Sequence, residues 1–165
     1  MIHMLTTSPD AAAALRQTMA NVAASVAVLT VEVNGSVCGV TLSSLISLSL
    51  DPPLILFALH RDSSMLEHVE ARCFALTVLG AQQREIAAAL AVRGRPPIPV
   101  DWLTRIGSYS LPVIRDGAAW IVARFENTCP AGDHVVVVGR VQHAASGRAA
   151  PLVYHCRTYG AVGSC

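Results

Sequence analysis

Four groups of residues carry the chemistry available to this chain. Arg61-Asp62-Ser63-Ser64 brings a guanidinium, two hydroxyls and backbone N–H groups together where an apolar run ends and a helix signal begins. Free N–H groups and a helix dipole favour an anion at such a junction. The segment reads as a phosphate seat, or as a plain helix cap beside a solvated Arg. Gly132-Asp133-His134 puts an imidazole at the entrance of a strand. There it can hydrogen-bond or stack on a ligand ring, or simply cap a hairpin whose turn bond Asp133 accepts. Thr41-Leu42-Ser43-Ser44, followed by Ser49 and by Asp51-Pro52-Pro53, is a Ser-rich strand-loop-strand segment. Small hydroxyls and backbone N–H groups let the polar edge of a ring approach closely; the bland alternative is a polar edge strand ending in a rigid turn. Tyr154, His155, Arg157 and Tyr159 form the last group, an aromatic and cationic cover for a nucleotide or else a half-buried strand residue beside solvated charge.

The elements that must position these groups are mostly strands. Ser8-Pro9-Asp10 opens a helix, with Ser as N-cap, Pro at the first helical position and an acid facing the dipole, and Leu15, Met19 and Val22 mark one face of it. Ala27, Leu29, Val31 and Val33 then alternate up to Asn34-Gly35, a strong hairpin signal, and residues 37–43 form the returning strand. Leu54 to Leu59 is a short apolar run of the kind buried on both faces. Ser64-Met65-Leu66-Glu67 reads as a capping box. A strand over 74–79 and a helix over 81–90 follow, and Arg93 to Pro99 has loop chemistry. Residues 120–126, 135–141 and 152–156 complete the strands, with Gly139 as a bulge. Strands that arrive as hairpins make an antiparallel sheet, closed or split into a barrel with peripheral helices, and the expected class is mainly β (α+β).

Composition narrows the function. Of 165 residues 53% are apolar and only 14% charged, a low charge density for a small chain whose whole surface is wet, so an apolar face should end in an interface. The length suits one domain spanning residues 1–165 with its core in about 15–159. A net charge of +1 with dispersed arginines is not the footprint of a nucleic-acid binder. The amino terminus has no leader pattern and no run is suited to span a membrane. Five scattered cysteines without a C-x-x-C pair suit a reducing cytoplasm. His60 and His68 have no ligand cluster around them, so no metal is expected. No G-x-G-x-x-G precedes a helix, so no Rossmann site is expected.

Taken in order, Thr41-Leu42-Ser43-Ser44, Ser49-Leu50-Asp51-Pro52-Pro53, Gly117-Ala118-Ala119-Trp120, Gly132-Asp133-His134 and Tyr154-His155-Cys156-Arg157-Thr158-Tyr159 resemble the flavin reductase family over about Leu15 to Tyr159. The resemblance implies an antiparallel Greek-key FMN-binding split barrel and an NAD(P)H-dependent reductase that supplies reduced flavin to a partner monooxygenase. It implies FMN or FAD as flavin, NADH or NADPH as reductant, and a homodimer with the flavin near the subunit boundary. By the same resemblance Thr41, Leu42, Ser43, Ser44, Ser49 and Asp51 line the ring and ribityl chain, and Arg61, Ser63 and Ser64 hold the phosphate. His134 acts on the nicotinamide side, supported by Asp133, with Arg157 and Tyr159 around the reductant. The chain departs from the family at Ala24, where a Thr is common, and at Ser64 and Met65, where a basic residue and a Thr are frequent. Those departures motivate an alternative, a flavin- or related cofactor-binding split-barrel protein without reductase turnover.

Overall fold

The computed structural model describes residues 10–71, 73–106 and 110–162. In chain order the elements are α1 (Ala11–Met19), β1 (Ala24–Ser25), β2 (Ala27–Val33), β3 (Ser36–Leu42), β4 (Ile46–Leu50), β5 (Pro53–His60), α2 (Met65–Glu70), β6 (Cys73–Val78) and α3 (Arg84–Leu90). A 3₁₀ turn, Val100–Trp102, leads to β7 (Leu103–Ile106), β8 (Leu111–Ile114), β9 (Ala119–Ala131), β10 (His134–Ser146), β11 (Leu152–His155) and β12 (Thr158–Ala161). Seven strands form one sheet in the order β3-β2-β6-β9-β10-β5-β4, and β1-β11-β12 and β7-β8 form two smaller sheets. Every named strand pair is antiparallel. This is the split barrel expected from the sequence.

Both faces of the large sheet carry apolar side chains. Leu29, Val31, Ile55, Phe57, Leu59, Phe74, Leu76 and Val137 fill the barrel with Met65 and Val69 of α2, and Phe57 meets Phe74 edge-on with centroids 5.5 Å apart. Val26 and Val28 point the other way and pack with Leu79, Ala87, Leu90, Ile114 and Leu152. The strands buried on both faces are therefore β2 and β6, and not the 54–59 run assigned that role from sequence. In β5 only Ile55, Phe57 and Leu59 are buried, while Leu54, Leu56, Ala58 and His60 are half-buried on the outer face. Continuous apolar sequence does not distinguish two covered faces from one covered face and one awaiting a partner.

The seam of the barrel is closed by a side chain. Beyond the Ile46–Leu56 pair β4 leaves β5, and the hydroxyl of Ser44 takes its place. It accepts the Ala58 N–H at 2.9 Å and donates to the Ala58 carbonyl at 3.3 Å, satisfying two backbone groups that would otherwise lack a ladder partner.

Several local expectations change. Ser8 and Pro9 lie outside the described residues, as does Cys165; the N-cap of α1 is Asp10, whose carboxylate accepts the Ala13 N–H at 3.0 Å. Leu15, Met19 and Val22 are 62%, 52% and 50% exposed, so the apolar face of α1 is uncovered in this chain. Ser64 makes no capping-box bond, because its backbone is already helical; Ser63 instead accepts the Met65 N–H at 3.3 Å. The third helix starts at Arg84, not at 81. Gln83 ties the preceding turn, accepting from Gly80 N–H and donating to the Arg115 carbonyl, both at 2.7 Å. The bulge expected at Gly139 lies opposite it: the register slips between Val138 and Gly139, leaving Glu126 of β9 as the extra residue. Gly139 is required because a Cβ there would stand 2.6 Å from the Phe74 ring. The β7-β8 hairpin had no strand signature, with four residues to each arm and Pro112 in the second. It is fixed by buried threonines, Thr30 donating to the Pro112 carbonyl at 2.6 Å and Thr77 accepting from Ile114 N–H at 3.0 Å.

Candidate active site

A cleft of about 590 Å³ opens where the ends of β3, β5 and β10 converge with the start of α2 and the loop after α3. Its walls are Thr41 to Ser44, Ala58 to His60, Asp62 to Ser64, Arg93 to Arg95 and His134. Its size falls in the range of small-molecule and cofactor sites, about 300–1,000 Å³.

A tight hairpin turn and three tertiary contacts set its geometry. The two-residue loop Gly132-Asp133 joins β9 to β10 across the Ala131–His134 pair, and Gly132 takes φ 65°, a conformation open to glycine at little cost. The Arg61 N–H donates to the Asp133 carbonyl at 3.0 Å, clamping the Arg61–Ser64 turn to the loop that carries His134. Thr41 donates to the Ala87 carbonyl at 2.8 Å, pinning β3 to α3 and so fixing the start of the arginine loop. Arg95 crosses that loop, its guanidinium donating to the carbonyls of Gly39 and of Val92, the latter at 2.9 Å. Burial pulls the Arg95 guanidinium below its ordinary value, and Cys38 opposes that pull. Its remaining N–H groups stay available, and an anion in the cleft would offset the desolvation.

His134 is held by Asp133, whose carboxylate oxygen lies 2.7 Å from Nδ1. That hydrogen bond, then the charge of His134, with His60 as a lesser contributor, holds the Asp133 carboxyl below its ordinary value. His60 is the direct cross-strand neighbour of His134. The two rings meet at 72° with centroids 5.5 Å apart.

Of the residues singled out from sequence, Thr41, Leu42, Ser43, Ser44, Ser63, Ser64 and His134 share this cleft, with Asp133 behind His134. Their hydroxyls are not equivalent. Those of Thr41 and Ser44 are committed to carbonyls of the fold, whereas Ser63 keeps its proton free to donate, and among the described residues Ser43 and Ser64 have no side-chain partner. Arg61 is not among the cleft walls. Ser49 and Asp51 lie at the β4-β5 hairpin tip, where Leu50 pairs with Pro53; five residues separate Pro53 from Ala58, about 17 Å of strand. Tyr159 lines a smaller annex of about 210 Å³ with Val26, Tyr154 and the shared wall Thr41–Ser43. Its hydroxyl is pushed up by burial and then by Tyr154. Arg157 faces a different hollow, against Arg16 and Gln17 of α1. Ala24 and Ser25 form β1, paired with Tyr154 and Val153.

Sequence reasoning missed His60, Arg93 and Arg95 as wall residues. Arg93 and Arg95 sat in a segment read as loop, and a pair of arginines around a glycine opposite the Ser-rich strand was the available signal. No local signal marked His60, because its neighbour is 74 residues away.

The model of the flavin reductase like domain family matches residues 19–163. The chain belongs to that family. A probable flavin reductase of Rhizobium meliloti (strain 1021) is 37% identical over 134 residues, covering 78% of this chain and 42% of that longer protein. The NADH-dependent FMN reductase AsuE2 of Streptomyces nodosus subsp. asukaensis is 33% identical over 150 residues, 87% of this chain and 81% of the relative. Among solved structures, the styrene monooxygenase flavin reductase of Pseudomonas putida S12 superposes with a TM-score of 0.82 at 28% identity, covering 91% of this chain and 97% of that one.

Proposed function

We propose that this flavin reductase family member is an NADH-dependent FMN reductase whose reduced flavin serves a partner monooxygenase. One observation carries the reading: a single cleft gathers the Thr41–Ser44 strand end, the Ser63-Ser64 turn, two arginines and His134. The residues present fit a flavin phosphate, since Ser63 and Ser64 supply hydroxyls and Arg93 and Arg95 supply charge that the sequence had sought in Arg61. A flavin bound there supplies the hydride acceptor. The chain's task is to orient the two rings and exclude water. The Ser43 hydroxyl and the backbone of 41–44 approach the ring edge, and His134, its Nδ1 fixed by Asp133, faces the incoming nicotinamide.

The outer face beside the cleft supports a homodimer. Leu54, Leu56 and Ala58 stand across from Arg140, Val138 and Val136, a largely apolar stripe that continues to the His60–His134 pair and to Ile46, which is 54% exposed. A second copy on this stripe would shield the nicotinamide side of the cleft. No helix among the described residues is long and apolar enough to cross a membrane, and the thiols of Cys38, Cys73, Cys129 and Cys156 are free; both fit the cytoplasm as the working compartment.

The test is oxidation of NADH by the purified chain with FMN, followed at the nicotinamide and flavin absorption bands under anaerobic conditions. Turnover is expected, and kcat/KM for NADH against NADPH and FMN against FAD ranks the alternatives. A chain that oxidises neither nicotinamide with either flavin overturns the reading.

A further inference from the structure

β3 is an outer strand of the seven-stranded sheet, and the chain after α3 covers its free edge without forming a strand. Three ties fall on alternate residues of β3, the period of groups that share one side of a strand. Thr41 donates to the Ala87 carbonyl at 2.8 Å, the Gly39 carbonyl accepts from the Arg95 guanidinium, and the Val37 carbonyl accepts the Ile98 N–H at 2.8 Å. The covering segment therefore runs antiparallel to β3. Ile98 is buried and lies so close over β3 that a Cβ on Gly39 would stand 2.5 Å from its Cδ1. An added strand would serve the Gly39 carbonyl with the backbone N–H two residues before Ile98. Pro96 stands there, Pro97 follows it, and neither has an N–H to give. The Arg95 side chain supplies the missing donor. The same guanidinium reaches back to the Val92 carbonyl at 2.9 Å, so it ties both ends of the Arg93-Gly94 turn. That turn borders the cleft. Gly94 takes φ 68° in open space, and among the described residues the Arg93 side chain has no partner.

We infer that Arg95 is a positioning residue: by capping the β3 edge at Gly39 and holding Val92, it fixes the turn from which Arg93 meets the flavin phosphate. The inference rests on the reductase reading for the identity of that phosphate. Charge alone does not perform this task. The planar guanidinium fork holds two carbonyls on separate segments at once, whereas a Lys ammonium is a compact charge on a flexible stem. With the fork lost, the Arg93-Gly94 turn is released at both ends, and Arg93 reaches the phosphate only at the entropic cost of ordering that turn.

Fluorescence titration gives the affinities for FMN and riboflavin, which differ by the phosphate. Arg95→Lys keeps the charge and loses the fork. It should weaken FMN by about three- to tenfold, the range of one net hydrogen bond, leave riboflavin unchanged, and match Arg95→Ala. Because Arg95 acts through Arg93, adding Arg95→Lys to Arg93→Ala should cause no further loss. The unaltered chain supplies a second readout that needs no variant. Without flavin, the Arg95 Nε proton should exchange with solvent about three- to tenfold more slowly than that of Arg93, again the factor for one net hydrogen bond, followed in ¹⁵N spectra. An FMN affinity of Arg95→Lys closer to the parent than to Arg95→Ala overturns the inference. So do equal losses of FMN and riboflavin, additive losses with Arg93→Ala, or an Arg95 Nε proton that exchanges as fast as that of Arg93. A parent chain that binds FMN no tighter than riboflavin overturns it together with the phosphate seat. A chain that shows the expected pattern yet transfers no hydride from NADH to FMN overturns the reductase reading alone.

Discussion

At the scale of single residues, the site separates groups committed to the fold from groups free to meet a ligand. His134 is of the second kind, tethered at Nδ1 and open at Nε2. His134→Ala should leave the flavin dissociation constant nearly unchanged and slow flavin reduction at fixed NADH by about ten- to a hundredfold, measured by anaerobic rapid mixing. Asp133 reports the same contact through its own titration. Its carboxyl is held below the ordinary carboxylate value by the hydrogen bond from His134 and by the charge of that ring. The stabilisation is therefore complete above the unfolded value, about 3.9, and is lost as pH falls through the lower folded value. The ¹³C carboxyl resonance of Asp133 should titrate with a midpoint below that of an unperturbed Asp, and His134→Ala should return it to the ordinary range. Arg93 carries the phosphate prediction. Arg93→Ala should weaken FMN about tenfold relative to riboflavin, a cost in the range of one charge-assisted bond, while Arg61→Ala has a smaller effect because Arg61 is not a cleft wall. Equal losses for FMN and riboflavin in Arg93→Ala would remove that residue from the phosphate.

At the scale of elements, one hydroxyl stands in for part of a strand. Ser44 serves both backbone groups of Ala58 where β4 has departed, and it does so on the cleft wall. Ser44→Ala leaves a partly buried N–H and C=O without their partner, which costs about 1–3 kcal/mol. Urea unfolding should show a lower midpoint with an unchanged slope, and flavin affinity should fall because the wall that carries Ser43 is no longer fixed. A variant as stable as the parent would show that water replaces the hydroxyl at no cost. The β7-β8 hairpin shows how an element can lack a local signal. Four-residue arms with a proline are poor strands by composition, and Thr30 and Thr77, more than 35 residues away in the chain, supply what holds them.

For the whole molecule, exposed apolar surface is the feature that asks for a partner. Ile46, Leu48 and Leu50 are 54%, 46% and 87% exposed on β4, next to the outward row of β5. A homodimer through this face should bury more than the roughly 1,200 Å² typical of specific contacts at the low end. Sedimentation velocity at micromolar concentration should give a dimer for the parent chain and a folded monomer for Ile46→Glu combined with Leu48→Glu. A monomeric parent would leave the face to another protein.

The sequence by itself determined the family, the antiparallel barrel and three of the segments that meet at the cleft, because these depend on local order. Alternation from Ala27 to Val33, the Asn34-Gly35 turn and the Gly132-Asp133-His134 loop each specify their own geometry over a few residues. Only the tertiary structure decided which strands are buried twice, since β5 has the more continuous apolar sequence and yet β2 and β6 are the ones covered on both faces. It also decided the fate of individual side chains. The hydroxyls of Thr41 and Ser44 meet the carbonyls of Ala87 and Ala58, and Arg93 and Arg95, not Arg61, are the arginines that line the cleft. His60 meets His134 only through register. Its cross-strand partner is set by hydrogen bonding between β5 and β10, and a slip of one residue would send the side chain to the opposite face.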